Sequence, residues 1–175
     1  MDGPDLIGML STLAPRLVPG EFVFCTVPST RKNEYAGLSP LATFCEDEGL
    51  TLVIDVDSAD KACLDYSAVF RCITLEVKSA LDSVGLTAAV STQLAQRGIS
   101  ANVIAAYHHD HIFVLAQQAE EAVSALREFG VQCINWRIFY ELAAWRSGTV
   151  IIGCSVLGIV PGLCPEYLHA GTGGA

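Results

Sequence analysis

The 175-residue chain lacks most of the sequence signals that mark an enzyme or a nucleic-acid-binding protein. It has no C-x-x-C pair, no glycine-rich phosphate loop between a strand and a helix, and no cluster of lysine and arginine. Only 10 residues are basic against 19 acidic ones, for a formal net charge of −9. Because such a chain neutralises few phosphates, nucleic acid and anionic membranes are disfavoured as its main partners.

The cysteines do not form a disulfide framework, because their number is odd, seven, and most lie within apolar stretches. A free cysteine in such a stretch behaves as a small core hydrophobe, and reduced thiols are typical of the cytosol. Asp2 and Asp5 stand where a leader peptide would carry basic residues. We therefore expect a cytoplasmic protein without a secretory or mitochondrial leader.

The most regular pattern lies between residues 68 and 125. An apolar run over Ala68–Val77 predicts a strand, and helical spacing from residue 86 stops at Gly98. Two short runs around the turn residues Tyr107–Asp110 predict a hairpin, and a second helix is predicted from Ala119. The order of elements is βαββα, which is typical of a ligand-sensing module.

The first half of the chain repeats this order faintly. We predict a helix over Leu6–Leu17, a strand over Phe22–Val27, and a hairpin from Leu41 to Val56 around an acidic turn. A short helix over Ala59–Leu64, capped by Asp57-Ser58, follows. If each unit needs four strands, one is missing: residues 67–77 serve both units, or Val131–Phe139 supplies the strand.

These patterns predict an N-terminal unit over residues 1–65, a second unit over 66–130, and an apolar, glycine-rich extension over 131–175. Residues 147–164 carry no charge, but four glycines and a proline interrupt them. Because a spanning helix needs about 20 mostly apolar residues, this segment is a poor transmembrane candidate. A buried strand pair and an irregular extension remain the other interpretations.

Five segments carry a family resemblance: Gly85–Val90, Leu94–Ile104 and Tyr107–Val114, with Gly20–Val27 and Ala42–Val53 in the first half. They resemble the ACT domain, in particular the small tandem-ACT proteins related to CASTOR-type arginine sensors and to the regulatory ends of aspartate kinases. The resemblance implies an α+β fold of two ferredoxin-like βαββαβ units in tandem, with antiparallel sheets and helices on one face. It also implies a non-enzymatic regulatory or sensor protein that binds a small effector, often an amino acid.

The resemblance places the ligand where the first strand turns into the first helix, which is residues 79–86 here. Gly85 permits close backbone approach, and the helix start offers unpaired amides to a carboxylate. Asp82 would pair with a ligand ammonium, Ser83 would cap the helix, and Asn102 offers an amide. The candidate ligand-binding residues are Asp82, Ser83, Val84, Gly85, Leu86, Asn102, Val103 and Ile104. The alternative interpretation is an ordinary capped helix with a solvent-exposed Asp82.

Three other constellations have a chemical interpretation that the sequence makes weaker than a structural one. The cluster His108–His111 has the residue types of a zinc site, but its side chains diverge around a hairpin turn. The segment Gly153–Gly158 resembles a nucleophile elbow whose closing glycine comes one position late. Cys72 lies in a predicted strand with Arg71 on the opposite face, as expected for a core thiol.

We therefore expect no catalytic residue, metal or cofactor. The expected partners are a small amino-acid effector and a protein partner or a second copy of the chain. Two alternatives stay open: a small enzyme that uses His108–His111, and a membrane-associated interaction protein that attaches through the apolar tail.

Overall fold

A computed structural model of the chain describes residues 6–77 and 84–147. The chain divides into two compact parts, Met1–Ile134, which contains both predicted units, and Asn135–Ala175. The described residues of the second part, 135–147, are helical. Three short 3-10 helices span Ser29–Glu34, Ala36–Leu38 and Ala116–Gln118. The longer elements are α1 (Leu6–Ser11), β1 (Ala14–Leu17), β2 (Phe22–Val27), β3 (Ala42–Cys45), β4 (Leu50–Asp55), α2 (Val56–Lys61), β5 (Phe70–Glu76), α3 (Leu86–Gln96), β6 (Asn102–Ala105), β7 (Asp110–Leu115) and α4 (Ala119–Ser147).

The seven strands of the described ranges form one antiparallel sheet in the order β3-β4-β2-β5-β7-β6, with β1 also paired to β5. Strands β1, β5, β7 and β6 with helices α3 and α4 make a ferredoxin-like unit in which β1 takes the place of the fourth strand. Strands β2, β3 and β4 belong to the other unit, and the two meet where Phe22 pairs with Phe70. The predicted α+β class, the strand at Phe22–Val27 and both hairpins are confirmed.

The helix predicted over Leu6–Leu17 is wrong in its second half, because α1 ends at Ser11 and β1 follows. The hydroxyl of Ser11 donates back to the carbonyl of Gly8 at the end of α1. Pro15 has no amide to donate, and its ring would clash with the preceding turn of a helix. In the extended conformation residues 14–17 instead pair with β5, from Ala14 opposite Glu76 to Leu17 opposite Ile73.

The bounds of two other predictions also change. Helix α2 begins at Val56, because Asp55 rather than Asp57-Ser58 is the cap and its carboxylate accepts from the Ser58 amide at 2.9 Å. The suggestion that residues 131–139 form a strand is wrong, since they lie within α4. The boundary predicted at 65/66 falls between α2 and β5, and the one at 130/131 falls inside α4.

Gly130 lies inside α4, at the predicted boundary, where the helix packs on the end of α1 and the residues after it. This glycine is buried in the helix, and a Cβ added to it would lie 3.4 Å from the Leu13 carbonyl oxygen and 3.5 Å from that of Leu10. The absence of a side chain therefore lets α4 pack closely on the chain segment that follows α1. Glu120 and Glu121 in the first turn favour the helix through its dipole.

Two hydrophobic clusters lie on the face of the sheet that the helices cover. Strands β5 and β7 alternate so that Ile73, Leu75, Ile112 and Val114 point towards α1, α3 and α4. Burying each such side chain contributes about 1.5–3 kcal/mol to stability. The second cluster covers β2 and β4 and consists of Val23, Cys25, Val27, Leu50, Leu52, Ile54 and Ala59, with Val69 among the partly buried residues packed on it.

The opposite face of the sheet, which we call the aromatic face, consists of strand residues and Val18. Its buried members are Val53, Cys72 and Phe113, and no residue of the described helices belongs to it. The Phe24 ring lies edge-on to Phe113 at 5.3 Å, and Phe22 lies edge-on to the same ring at 6.1 Å. Aromatic side chains of both units therefore pack across their junction.

No helix within residues 6–77 and 84–147 is long and apolar enough to cross a membrane. The uncharged segment considered for a membrane span lies almost wholly beyond residue 147, outside the described residues.

Candidate ligand-binding site

Helix α3 begins after a glycine in the left-handed conformation. Gly85 is the N-cap residue with φ +100° and ψ −18°, and its carbonyl accepts the Ala89 amide at 2.9 Å. No side chain among the described residues caps this helix, so Gly85 stands where Ser83 was predicted. The first amides of a helix have no partner within it and attract an anion.

The five residues predicted for this turn differ in their surroundings. Asp82 and Ser83 lie outside the described residues. Val84 is 86 % exposed, Gly85 is half-buried, and Leu86 is buried in the cluster with α1 and α4. Of the described part of the turn, Val84 therefore has the most exposed side chain.

Leu6 occupies the space beside Gly85. A Cβ added to Gly85 would lie 2.9 Å from Cδ2 of Leu6, which is closer than real Cβ atoms approach. The glycine is thus needed for two reasons, its positive φ and its contact with α1.

The predicted residues of β6 point to two different faces of the sheet. Val103 packs on the cluster that contains Leu86. Asn102 pairs with Phe113, and Ile104 packs on the same aromatic face. The structure therefore places Val103 on the helix-covered side with Leu86, and Asn102 and Ile104 on the opposite side.

The histidine cluster separates around a hairpin, as its spacing predicted. His109 and His108 lie in the turn, where the His109 carbonyl accepts the Ala106 amide at 3.1 Å and the His108 ring is edge-on to Tyr107. His111 lies instead on β7, with Nδ1 3.1 Å from the Thr74 hydroxyl. Within residues 6–77 and 84–147, no three acidic, histidine or cysteine side chains are placed to hold a metal ion.

Burial lowers the pKa of His111, and the nearby charges of His109 and Arg16 lower it further. The neighbouring carboxylate of Asp110 acts in the opposite direction, and the pKa of Asp110 itself is raised, mainly by burial. The imidazole of His111 is therefore held in its neutral form in a strand interior.

Cys72 has the environment of a core thiol. It is fully buried, and burial raises its pKa to about 11, so that it is protonated at neutral pH. A thiol in this state is a poor nucleophile. The five cysteines of the described ranges are all free. The segment Gly153–Gly158 lies outside the described residues.

From the sequence, Arg71 was predicted only to lie on the face of the strand opposite Cys72. It lies on the helix-covered face of β5, opposite Val114 of β7, and its Nε is buried without a hydrogen-bond partner. Val69 and Ile73, the next residues on this face of the chain, are both apolar. An arginine between two apolar residues on the same face of a predicted strand was the sequence signal that could have singled out Arg71.

The observed architecture defines the class of this protein. Two ferredoxin-like units share a single antiparallel sheet, and β1 from the start of the chain extends the second unit. Between residues 6 and 77 and between 84 and 147, the titratable side chains form no metal cluster, and the buried thiol of Cys72 is protonated at neutral pH.

The chain belongs to the ACT-domain family. Models of the ACT domain match residues 4–71 and residues 67–128, so that two such domains follow one another in tandem. ACT domains are typically regulatory and bind small molecules. The first matched range contains α1 and β1, although β1 pairs with β5.

Several solved structures share this fold. A Vibrio cholerae protein of unknown function, described as a possible transport protein, is 52 % identical, with a TM-score of 0.65 over 70 % of this chain and 93 % of that one. An Agrobacterium tumefaciens protein is 17 % identical, with a TM-score of 0.52 over 67 % and 89 % of the two chains. The ligand-free regulatory subunit of aspartate kinase from Thermus thermophilus is 11 % identical, with a TM-score of 0.53 over 65 % and 94 %. No curated protein sequence matches the chain.

Proposed function

We propose that this chain is a non-enzymatic, cytoplasmic sensor that binds an amino acid and passes the change to a protein partner or a second copy of itself. One observation carries the proposal: β1, which belongs to the first ACT range, is hydrogen-bonded to β5 in the second. A ligand that shifts the elements around β5 therefore acts on both domains, because a paired strand cannot move independently of its neighbour.

The proposed site is the turn of residues 82–86. The first amides of α3 bind the ligand carboxylate, because no described side chain caps them and the helix dipole favours negative charge there. Asp82 binds the ligand ammonium, Ser83 donates its hydroxyl, and the exposed Val84 contacts the ligand side chain. Val103 supports the site from the helix-covered side of β6.

Leu6 supplies a route for the signal. Its side chain packs against Gly85, and α1 leads directly into β1. A ligand that binds beside Gly85 changes the position of Leu6, and α1 and β1 respond at the edge of β5. This coupling requires that the ligand bind the two arrangements with different affinity.

The experiment is a thermal-shift screen of the full chain against the twenty amino acids, followed by calorimetric titration. An amino acid present at 100 times its Kd stabilises the folded state by about 2.7 kcal/mol. No shift with any amino acid would contradict the proposed function.

Two comparisons then locate the site. Asp82→Asn weakens binding of the amino acid at least about tenfold, which corresponds to about 1.4 kcal/mol, but spares the same ligand without its amino group. Gly85→Ala removes binding, whereas Gly20→Ala is the matched control, because Gly20 has a similar φ of +94° and open space around it. Equal affinity in Gly85→Ala would place the ligand elsewhere.

A further inference from the structure

Arg71 lies between the two hydrophobic clusters of the helix-covered face. Along β5 the side chains alternate, so that Phe70 and Cys72 point to the aromatic face and Arg71 to the other. Before it, Val69 packs on the cluster of β2 and β4; after it, Ile73 belongs to the cluster of α1, α3 and α4. Arg71 is thus the polar residue in an otherwise apolar row at the junction of the two ACT units.

No ion pair among the described residues explains why Arg71 lies in this apolar row. Its Nε is buried and donates to nothing. None of the ion pairs formed by the described residues includes it, as these join Arg16 to Glu76, Arg31 to Glu34 and Arg97 to Glu128. A buried donor without an acceptor opposes folding, so the unpaired Nε calls for an acceptor from outside the described residues, such as a water, an ion or a bound ligand.

The chemistry of the position selects the kind of partner. Nε and a terminal nitrogen of a guanidinium form a planar fork that matches the two oxygens of a carboxylate. A single arginine balances a single negative charge among apolar neighbours such as Val114. A phosphate carries up to two charges and would need further donors, while the chain as a whole is acidic.

We infer that Arg71 binds the carboxylate of a small organic acid at the junction of the two ACT units. This is a second site that goes beyond the proposed function, because Arg71 lies near the start of β5 and the turn before α3 follows its end. A ligand there contacts residues of both clusters and so bears on how the two units pack.

The test uses the full chain with acetate and butyrate as carboxylate probes and inorganic phosphate as the other anion, at constant ionic strength with chloride as the reference. Carboxylates raise the melting temperature of the wild-type protein, and Arg71→Gln weakens this effect at least tenfold. Arg127→Gln, which removes an exposed arginine of α4, leaves it unchanged. A wild-type protein that responds to no carboxylate, or an equal response in Arg71→Gln, overturns the inference.

Two further readings complete the test. Arg71→Met keeps the apolar stem but removes the orphan donor, so its melting temperature without carboxylate equals or exceeds that of the wild type. A lower value would mean that Arg71 serves packing or binds an acceptor of the chain itself, and would overturn the inference. A larger shift with phosphate than with carboxylate would overturn the ligand class. Loss of amino-acid binding only in variants of Asp82 or Gly85 leaves this site untouched, so the two proposals fail independently.

Discussion

Leu6 packs closely on Gly85: Cδ2 of Leu6 lies 2.9 Å from where a side chain at Gly85 would begin, so a larger residue at Gly85 requires Leu6 to move. The contact joins α1 to the start of α3, and therefore links the first elements of the chain to the turn where the ligand is proposed to bind. The positive φ of Gly85 is a second, independent reason for glycine at this point.

Gly85→Ala is expected to destabilise the protein more than Gly20→Ala does. Both substitutions place a side chain at a positive φ, at a cost of about 1–3 kcal/mol each. Only Gly85→Ala also collides with Leu6, which adds about 1–3 kcal/mol. Urea denaturation measures the difference. Adding Leu6→Ala to Gly85→Ala should recover part of the loss, and strictly additive effects would show that the contact does not matter.

Asn102→Ala should leave the affinity for an amino acid unchanged. Asn102 pairs with Phe113 and faces the aromatic side of the sheet, away from α3. Calorimetric titration of the variant against the ligand found in the screen checks this. A large loss of affinity would mean that the ligand reaches the aromatic face and that the turn before α3 is not the whole site.

Phe113→Ala should cost about 3–5 kcal/mol, because the ring is buried and packs edge-on against Phe22 and Phe24 of the other unit. Phe44→Ala is the matched control, since Phe44 on β3 is 42 % exposed and should cost no more than about 1 kcal/mol. Equilibrium unfolding should also remain a single transition in the wild type. Similar losses in both variants would argue against packing across the junction.

Cys72 should resist alkylation at mildly alkaline pH while Cys45 and Cys63 react. The two latter thiols are exposed, whereas burial raises the pKa of Cys72 to about 11 and shields its sulfur from the reagent. Iodoacetamide treatment followed by peptide mass spectrometry gives the order of reaction. Labelling of Cys72 as fast as Cys45 in the folded protein would contradict the buried placement.

His111 should make the protein less stable as the pH falls through the usual histidine range. Burial lowers its pKa in the folded state, so the unfolded state binds more protons there. The stability that the neutral imidazole contributes is present above the unfolded pKa of about 6.5 and decreases below it. His111→Asn should flatten the profile of unfolding free energy between neutral and mildly acidic pH.

The comparison variant for that profile is His108→Asn, which removes an exposed histidine of the hairpin turn. Asp110 shifts in the opposite sense, because its raised pKa lets the folded state keep its proton longer as the pH rises. Titration of Asp110 therefore changes the free energy of unfolding at a more acidic pH than titration of His111 does. An unaltered profile in His111→Asn would show that this imidazole is not held neutral.

The predictions that the structure confirms rest on local chemistry. The β-rich residues of Phe22–Val27 and the acidic turn of the first hairpin predict these elements, because strand alternation and turn residues act over short distances. The family resemblance of Gly85–Val90 and Leu94–Ile104 is confirmed as well. The error in the first helix falls where helical spacing overlaps a breaker: Leu13 and Leu17 fit a helix, but Pro15 between them has no amide to donate within one.

The candidate site was only partly accessible to this reasoning. A glycine before an amphipathic helix identifies a bend, and Gly85 is indeed the N-cap. The role of Leu6, 79 positions earlier in the chain, and the orphan Nε of Arg71 have no local signature. Both depend on which distant segments pack together.

The chain by itself determines which residues can form strands, where the hairpin turns lie, and that two ACT domains follow one another. Tertiary structure alone decides that residues 14–17 leave the first unit and pair with β5. An extended segment satisfies its amides on any open strand edge, so its partner is chosen by long-range packing and not by its own side chains.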